Sequence, residues 1–175
     1  MTVTVVDVPP AVNADGFQTV WWADAIANVS APAITEITSA VASLDLSCYL
    51  DKEWELYSSE QEESTDERFC SKETFSTPGV SKYTVGDLLY VVDPQNPQSL
   101  TSRASQILVG NKRGFLVIRR GKDQQIPAAV DDVVDVIPVQ LGMPSPERAE
   151  KNGNLKDRTK VYVIGNVARN VKLVA

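Results

Sequence analysis

Residues 113–141, RGFLVIRRGKDQQIPAAVDDVVDVIPVQL, contain two apolar runs joined by a polar, turn-rich segment. In the first run, residues 115–118 are all apolar and mostly β-branched or aromatic, which predicts a strand packed on both faces. The second run, Val133–Leu141, alternates so that neither face is purely polar, with Asp135 on one side and Pro138 on the other. Because proline has no backbone donor, Pro138 predicts either a sheet edge or a bulge. An edge strand leaves backbone groups unpaired, so we expect another chain to complete this sheet.

The rest of the chain is predicted to be mainly β. Further strands are predicted at residues 17–22, 45–50, 66–70, 73–76, 82–92, 159–164 and 167–175, with a turn at 78–79 and short helices at 33–41 and 99–108. The last two strands form either a hairpin or one long bent strand. With about eight strands, the predicted class is an antiparallel β-sandwich or β-barrel with one or two short helices. Prolines 9 and 10 and the polar stretch after them predict a flexible N-terminal arm at 1–16, followed by a single domain at 17–175.

Composition excludes several classes of function. The chain has 175 residues and a formal net charge of −6, which argues against tight binding to nucleic acid phosphates. No apolar run reaches the ~18 residues of a membrane span, and the N-terminus lacks the basic start of a secretory signal, so we expect a soluble protein made in the cytoplasm. The absence of histidine excludes a Ser-His-Asp triad and imidazole metal ligands.

The sequence therefore predicts no metal and no cofactor. Cys48 and Cys70 are too few and too far apart for a zinc site. Both lie in alternating apolar and polar sequence, which predicts buried free thiols, with a disulfide between them as the alternative.

Residues 51–67 form an unusually acidic segment. They carry eight acids against Lys52 alone, a net charge of −7. The segment has no glycine, which argues against a calcium-binding loop. We predict a long acidic loop that contacts a partner, because Trp54 and Tyr57 have little use in a purely solvated loop. A loop that lies in solvent is the alternative.

Several segments taken together resemble a known family. They are DLSCYL at 45–50, DERFCS at 66–71 followed by TF at 74–75 and PG at 78–79, GFLVIR at 114–119, VDVIPV at 134–139 and VYVIGNV at 161–167. In their order and spacing these segments resemble the major tail tube proteins of long-tailed, non-contractile phages of actinobacteria. The resemblance runs from about residue 20 to the C-terminus.

The resemblance implies a structural virion protein of the tail, made in the cytoplasm of a bacterial host, with no catalytic site. Its subunits would form hexameric rings, with four strands of each subunit joining into a continuous lumen barrel. Stacked rings would make the conduit for DNA ejection. The implied partners are further copies of the chain, the tape measure, tail terminator and distal tail proteins, and double-stranded DNA in transit without specific binding; no membrane is implied.

An acidic lumen would let DNA pass instead of holding it. The candidates for its lining are Asp87, Asp131, Asp132 and Asp135, with a solvated outer face as the alternative.

Opposite charges at two places in the chain predict head-to-tail stacking. Residues 144–175 carry seven bases against three acids, a net charge of +4, opposite in sign to residues 51–67. We expect the acidic loop to dock near this basic region of the next ring, with Trp54 and Tyr57 as apolar anchors and with charges that set the register. Those charges are Glu60, Glu62 and Glu63.

Two other classes of function remain open at this point. One is a monomeric Ig-like adhesion or capsid-decoration module, which would share the β-rich composition. The other is a carboxylate-dependent hydrolase, although no pair of acids is singled out by the sequence.

Overall fold

The predicted mainly β class with antiparallel sheets is confirmed. A computed structural model describes residues 10–12, 14–52, 54–66, 69–70, 74–149, 151 and 153–175. Eleven strands are assigned there: β1 Gln18–Ala23, β2 Ser43–Asp45, β3 Tyr57–Asp66, β4 Phe75–Val85, β5 Leu88–Val91, β6 Arg113–Arg120, β7 Val133–Leu141, β8 Ser145–Pro146, β9 Lys156–Thr159, β10 Val161–Val163 and β11 Ala168–Lys172. Two short helices accompany them, α1 Ile34–Thr38 and α2 Arg103–Ile107, the second preceded by a 3-10 turn at Leu100–Ser102.

The two apolar runs pair with each other at the centre of the main sheet. The sheet has the order β10–β7–β6–β1–β2, and β11 also pairs with β7. Strands β6 and β7 run antiparallel, from Arg113 opposite Gln140 to Arg119 opposite Val134. Both are central because both of their faces are apolar and therefore gain by burial on two sides. Within the described residues the strand order of this sheet is open, and the small sheet β5–β9–β8 is separate from it.

The prediction that Pro138 marks a sheet edge is wrong, but a break does lie opposite it. Strand β7 is paired on both sides, with β6 on one side and with β10 and β11 on the other. Strand β10 ends at Val163, which pairs with Val139, and β11 begins at Ala168, which pairs with Val136. The missing donor of Pro138 thus falls where no ladder bond is needed, and its carbonyl accepts from the amide of Ile164 at 3.0 Å. The expectation that another chain completes β7 is therefore also wrong.

The C-terminal segment follows the predicted long bent strand and not the predicted hairpin. Strands β10 and β11 lie one after the other along the same side of β7 and do not pair with each other. At the bend, a Cβ on Gly165 would meet the Pro138 ring at 3.2 Å, so the chain passes close to the proline here.

The main sheet separates two apolar cores. On one face Trp22, Leu116 and Ile137 pack against α2 and the small sheet β5–β9–β8. On the other face Trp21 and Val117 pack against α1 and the loops beside it. Successive residues of each strand alternate between these cores, as the period of a strand requires.

Three boundaries predicted from the sequence are wrong in the first half of the chain. The strand predicted at 45–50 ends at Asp45, because residues 47–49 form a turn. The segment predicted as a loop at 51–67 contains the strand β3. The predicted turn at 78–79 lies inside β4, where the strand register shifts.

Two further predictions are settled only in part. The strand predicted at 82–92 is divided by Gly86 and Asp87 into the end of β4 and β5. Residues 1–9 and 13 of the predicted N-terminal arm lie outside the described residues, as do residues 67–68 of the predicted strand at 66–70 and residue 73 of the one at 73–76. Residues 69–70 form a turn, so the first of these strands does not extend that far.

Candidate subunit interface

Strands β3 and β4 form a long hairpin that is exposed on both faces. Its ladder runs from Tyr57 opposite Val85 to Asp66 opposite Phe75. Ten residues of strand span roughly 33 Å. Most of its described side chains are exposed, and Val85 at the base is the buried one. A two-stranded ribbon is marginally stable by itself in water, so this hairpin depends on its base and on whatever covers its faces.

The base of the hairpin is held by a buried carboxylate. The Tyr57 hydroxyl donates to Oδ2 of Asp135 at 2.8 Å, and Arg120 donates to the same oxygen at 3.1 Å. The other oxygen, Oδ1, accepts from the backbone amide of Asn170 at 2.8 Å. The side chain of Asp135 is only 3% exposed. Charged hydrogen bonds in such a site are strong, so Asp135 ties β3, β6 and β11 together.

The two aromatic residues of the acidic segment lie at this base. The Tyr57 ring lies 6.3 Å from the Tyr83 ring, and the Arg169 guanidinium lies 5.8 Å from the Tyr57 ring. Burial raises the pKa of Tyr57, and the hydrogen bond to the Asp135 carboxylate adds to the effect. The indole of Trp54 packs against the first core and donates to the carbonyl of Gly86 at 3.1 Å. The structure therefore engages both side chains within their own chain.

A bulge divides the hairpin near its middle. The register shifts between Gln61 and Glu63, where β4 contributes one extra residue beside Gly79. A Cβ at Gly79 would lie 2.9 Å from the carbonyl oxygen of Glu62, so only glycine fits without a local shift. Bulges bend the strand and increase its twist, so this one changes the direction of the outer half of the hairpin.

The outer half combines acids with exposed apolar side chains. Strands β3 and β4 as a whole carry four acids, at positions 60, 62, 63 and 66, against Lys82, a net charge of −3. The predicted interface acids Glu60, Glu62 and Glu63 are all exposed. Phe69, Phe75 and Val80 are exposed as well, and Phe69 is fully so. Large apolar side chains that are exposed on one element are typical of a surface that another molecule covers.

The four acids predicted to line a lumen do not form one surface. Asp87 lies beside the small sheet and forms an ion pair with Arg158 at 3.7 Å. Asp131 and Asp132 lie in the loop before β7, on the side of the second core, and Asp135 faces the hairpin base. The carboxylate of Asp131 is 72% exposed, whereas those of Asp132 and Asp135 are nearly buried.

Asp132 belongs to a structural site that the sequence did not reveal. Its Oδ2 accepts from the buried Arg119 at 2.9 Å, and its Oδ1 accepts from Lys122 at 2.7 Å. Burial by itself raises the pKa of Asp132, but hydrogen bonds from Lys122, Arg119 and the backbone of Ala129 outweigh it and hold this pKa below its usual range. The sequence signal for this site is an arginine at the end of an apolar strand, followed by a loop that contains three aspartates.

Arg119 organises the whole loop between β6 and β7. Its guanidinium also donates to Thr19 and to three backbone carbonyls, those of Pro127, Asp123 and Ile126. The Trp21 ring lies 5.2 Å from its central carbon. Among the buried side-chain atoms of the described residues, Nε of Arg119 is the one without a partner.

The basic region predicted to receive the acidic segment has much of its charge engaged within the chain. Lys156 forms an ion pair with Asp51 at 2.5 Å, and Arg158 with Glu147 at 2.5 Å. Lys172 forms one with Asp131 at 3.1 Å. The hydrogen bond from Arg158 lowers the pKa of Glu147. Part of the positive charge of this region is therefore already compensated within the subunit.

The cysteines differ from the prediction. Cys48 and Cys70 are free thiols, but both are exposed, so the predicted burial is wrong. Cys48 lies in the turn that replaces the predicted strand at 45–50, where its Sγ accepts from Gln124 at 3.1 Å. Burial was predicted for Cys48 because the strand was expected to continue to residue 50, whereas it ends at Asp45.

In the part of the chain that the structure describes, no group of three or more acidic or sulfur ligands is placed to hold a metal ion. None of the helices described here has the length and apolar character that a membrane crossing requires.

Comparison with known families identifies the kind of protein. A family model described as "Phage tail tube protein" matches residues 6–175, which is nearly the whole chain. No curated protein sequence matches the chain.

Proposed function

The chain belongs to the phage tail tube protein family, and from this premise we propose that it is the major tail tube subunit of a long-tailed, non-contractile actinobacterial phage. Members of this family are structural proteins of the virion tail, and they assemble with copies of themselves into a tube. In our proposal the subunits form hexameric rings, and the stacked rings are the conduit through which DNA is ejected. The tape measure, tail terminator and distal tail proteins would be its other partners, and host cytoplasm the place of synthesis.

The main observation that supports the proposed assembly is the exposed β3–β4 hairpin. Its base is fixed by Asp135 and Trp54, so its direction is defined. Its outer half exposes backbone edges and aromatic side chains to solvent. Such ribbons are stable when they pack on other structure, and in a tube the neighbouring subunit supplies it.

For the interface acids we propose the role that the sequence predicts. Glu60, Glu62 and Glu63 would contact a neighbouring ring and set its register. Trp54 and Tyr57 would support this contact indirectly, because they fix the base of the hairpin on their own subunit.

For the lumen, the net charge of −6 supports a surface that repels phosphates. Asp87 and Asp131 are the better candidates for its lining, because their carboxylates are the more accessible of the four. Asp132 and Asp135 would contribute little there, since their carboxylates are nearly buried.

Negative-stain microscopy and sedimentation of the purified protein test the proposal. We expect rings or tubes of uniform diameter above a critical concentration, and image averages with six subunits. A protein that stays monomeric at every concentration would instead support the decoration-module alternative.

A charge series tests the role of the hairpin. Replacing Glu60, Glu62 and Glu63 together by lysine should shorten or abolish tubes at low salt, and replacing them by glutamine should have an intermediate effect. The glutamine variant keeps side-chain size and is thus the matched control. Tube length that is the same in all three proteins would exclude a role for these charges.

A further inference from the structure

The second core covers only part of its face of the main sheet. Along β7 this face carries Val134 and Val136, which belong to the core, and then Pro138 and Gln140, which are half-buried. Strand β6 shows the same change, since Phe115, opposite Pro138, is only partly buried at the margin of the core. The second core therefore ends before these strands do, at the end of the sheet where β6 begins and β7 ends.

Strand β10 extends the uncovered part of this face. Val161 lies in the first core, so Tyr162 projects from the opposite face, where it is paired with Gln140. Ile164 lies opposite Pro138, because its amide donates to the carbonyl of that proline at 3.0 Å. Tyr162 is 49% exposed and Ile164 is 47% exposed. This apolar surface, the open face, is formed by Phe115, Pro138, Tyr162 and Ile164.

Two cations border the open face. Arg113 donates to the side chain of Gln140 at 3.4 Å, and the ammonium group of Lys160 lies 5.5 Å from the Tyr162 ring. A Cβ on Gly142 would lie 3.3 Å from the Cβ of Lys160, so the stem of this lysine rests against the end of β7. The open face thus combines aromatic and aliphatic surface with positive charge.

The loop between β6 and β7, residues 121–132, has the complementary composition. It contains three acids against Lys122, a net charge of −2. Ile126 and Val130 are 45% and 53% exposed. The carboxylate of Asp131 is 72% exposed, and its ion pair with Lys172 is exposed on both sides, so this pair holds the carboxylate only weakly. The loop therefore presents aliphatic side chains beside an accessible acid.

The backbone of this loop is fixed within the subunit. The buried guanidinium of Arg119 binds three of its carbonyls, between Asp123 and Pro127. The amide of Asp131 donates to the carbonyl of Leu173 at 3.0 Å. These bonds engage the backbone and leave the exposed aliphatic side chains on the outside. A loop that is already ordered loses little conformational entropy when it binds, which favours its use as a docking element.

The loop and the open face lie on the same side of the main sheet, at opposite ends. The loop follows the end of β6 and packs on the second core through Ala128. Five residues of β7 separate Val133, next to the loop, from Pro138 in the open face, which is about 17 Å. The loop therefore meets an open face only on another copy of the chain. A contact between two different surfaces is heterologous, and it propagates from subunit to subunit.

We propose that the open face of each subunit receives the β6–β7 loop of another copy of the chain, with Val130 packed against Tyr162. Asp131 then faces Lys160, and the opposite charges set the register. This inference rests on the proposed function, and it adds to that assembly a contact that does not involve the hairpin. It is compatible with a place for Asp131 in the lumen lining, because a loop between two subunits can also border the channel.

Disulfide trapping tests the contact in assembled tubes. In a background without the native thiols, Cys48→Ser with Cys70→Ser, Val130→Cys places a thiol in the loop and Ile164→Cys places one on the open face. Within one chain these positions are too far apart for a disulfide, which needs Cα atoms within about 7 Å. Oxidation should therefore link successive subunits into a ladder on a non-reducing gel. The matched control combines Val130→Cys with Leu100→Cys, an exposed apolar position on the side of the first core.

The outcomes separate the inference from the function. Tubes that give a ladder with Ile164→Cys and none with Leu100→Cys support the inference. Tubes that give no ladder with Ile164→Cys, or equal ladders with both, overturn it and leave the tail tube function standing. A wild-type chain that forms neither rings nor tubes overturns the proposed function, and this inference with it.

A second measurement does not depend on oxidation. Tyr162→Ala should raise the critical concentration for assembly about tenfold or more, and Val130→Ala about fivefold, because each removes apolar surface from the contact. In the double variant the two effects should be less than additive, since either change alone weakens the same contact. Val41→Ala, an exposed apolar residue outside both surfaces, should leave the critical concentration unchanged. Fully additive effects, or an equal rise with Val41→Ala, would overturn the inference.

Discussion

Replacing Arg119 by alanine is expected to destabilise the subunit strongly. Arg119 has a side chain that is 2% exposed and donates five hydrogen bonds, to Thr19, Asp132 and three carbonyls of the loop between β6 and β7. The alanine variant removes the donor of all five bonds and leaves Asp132 with Lys122 and the backbone amide of Ala129 as its remaining partners. Breaking one side of a buried ion pair costs about 3–5 kcal/mol. For a domain of this size that corresponds to a fall in Tm of roughly 6–20 °C.

Urea unfolding of the unassembled subunit, followed by tryptophan fluorescence, measures this loss. The matched control is Arg113→Ala, which removes an exposed arginine from the same strand and should change the free energy of unfolding by less than about 0.5 kcal/mol. A double variant, Arg119→Met with Asp132→Leu, should recover part of the stability, because an apolar pair removes the uncompensated charge. If Arg119→Ala loses less than about 1 kcal/mol, or no more than the control, the assigned role of Arg119 is wrong.

Three further predictions concern acid sensitivity, thiols and close packing. The pKa of Asp132 is lowered in the folded state, so its contribution to stability is present above the unfolded pKa of about 4 and is lost as the pH falls through the folded value. In urea titrations at decreasing pH, the difference in stability between wild type and Asp132→Asn should therefore shrink. In native unassembled subunits a thiol reagent should label both Cys48 and Cys70 without denaturant, and mass spectrometry showing fewer than two labels would contradict their exposure. Gly114→Ala should lower the free energy of unfolding by about 1–3 kcal/mol, because the added Cβ would collide with the Trp22 ring and lie 2.8 Å from the carbonyl oxygen of Ala23. An unchanged thermal unfolding curve would contradict this packing.

The centre of the fold could be predicted because its signal is local. The runs that became β6 and β7 are apolar on both faces, and burial on both sides is what such runs indicate. Arg119 was not recognised, because a charged residue at the end of a strand is usually solvated, and its partners come from a loop and from β1. The role of Pro138 could not be predicted locally, because it depends on the interruption between β10 and β11, which pair with β7 on that side.

The candidate interface was predicted in composition but not in conformation. The acidity of the segment and its two aromatic residues were visible, yet Tyr57–Asp66 reads YSSEQEESTD and lacks the apolar alternation that indicates a strand. Its strand is formed by pairing with Phe75–Val85, a contact of long sequence separation. The dipeptide at 78–79 favours a turn in isolation, but it occupies a bulge because the ladder continues on both sides of it.

The edges of the main sheet affect how readily an unassembled subunit aggregates. On one side the boundary is β2, only three residues long, and on the other it is divided at Pro138 into β10 and β11, with a second irregularity inside β11. Neither side offers a long row of backbone groups that a foreign strand could extend, which is the usual route to aggregation. The boundaries of the main sheet therefore do not promote indiscriminate strand addition when the protein is concentrated, and the β3–β4 hairpin is the element that keeps long open edges. Contacts between subunits are then left to the hairpin and to side chains, and an unsymmetrical contact of this kind gives a growing polymer its polarity.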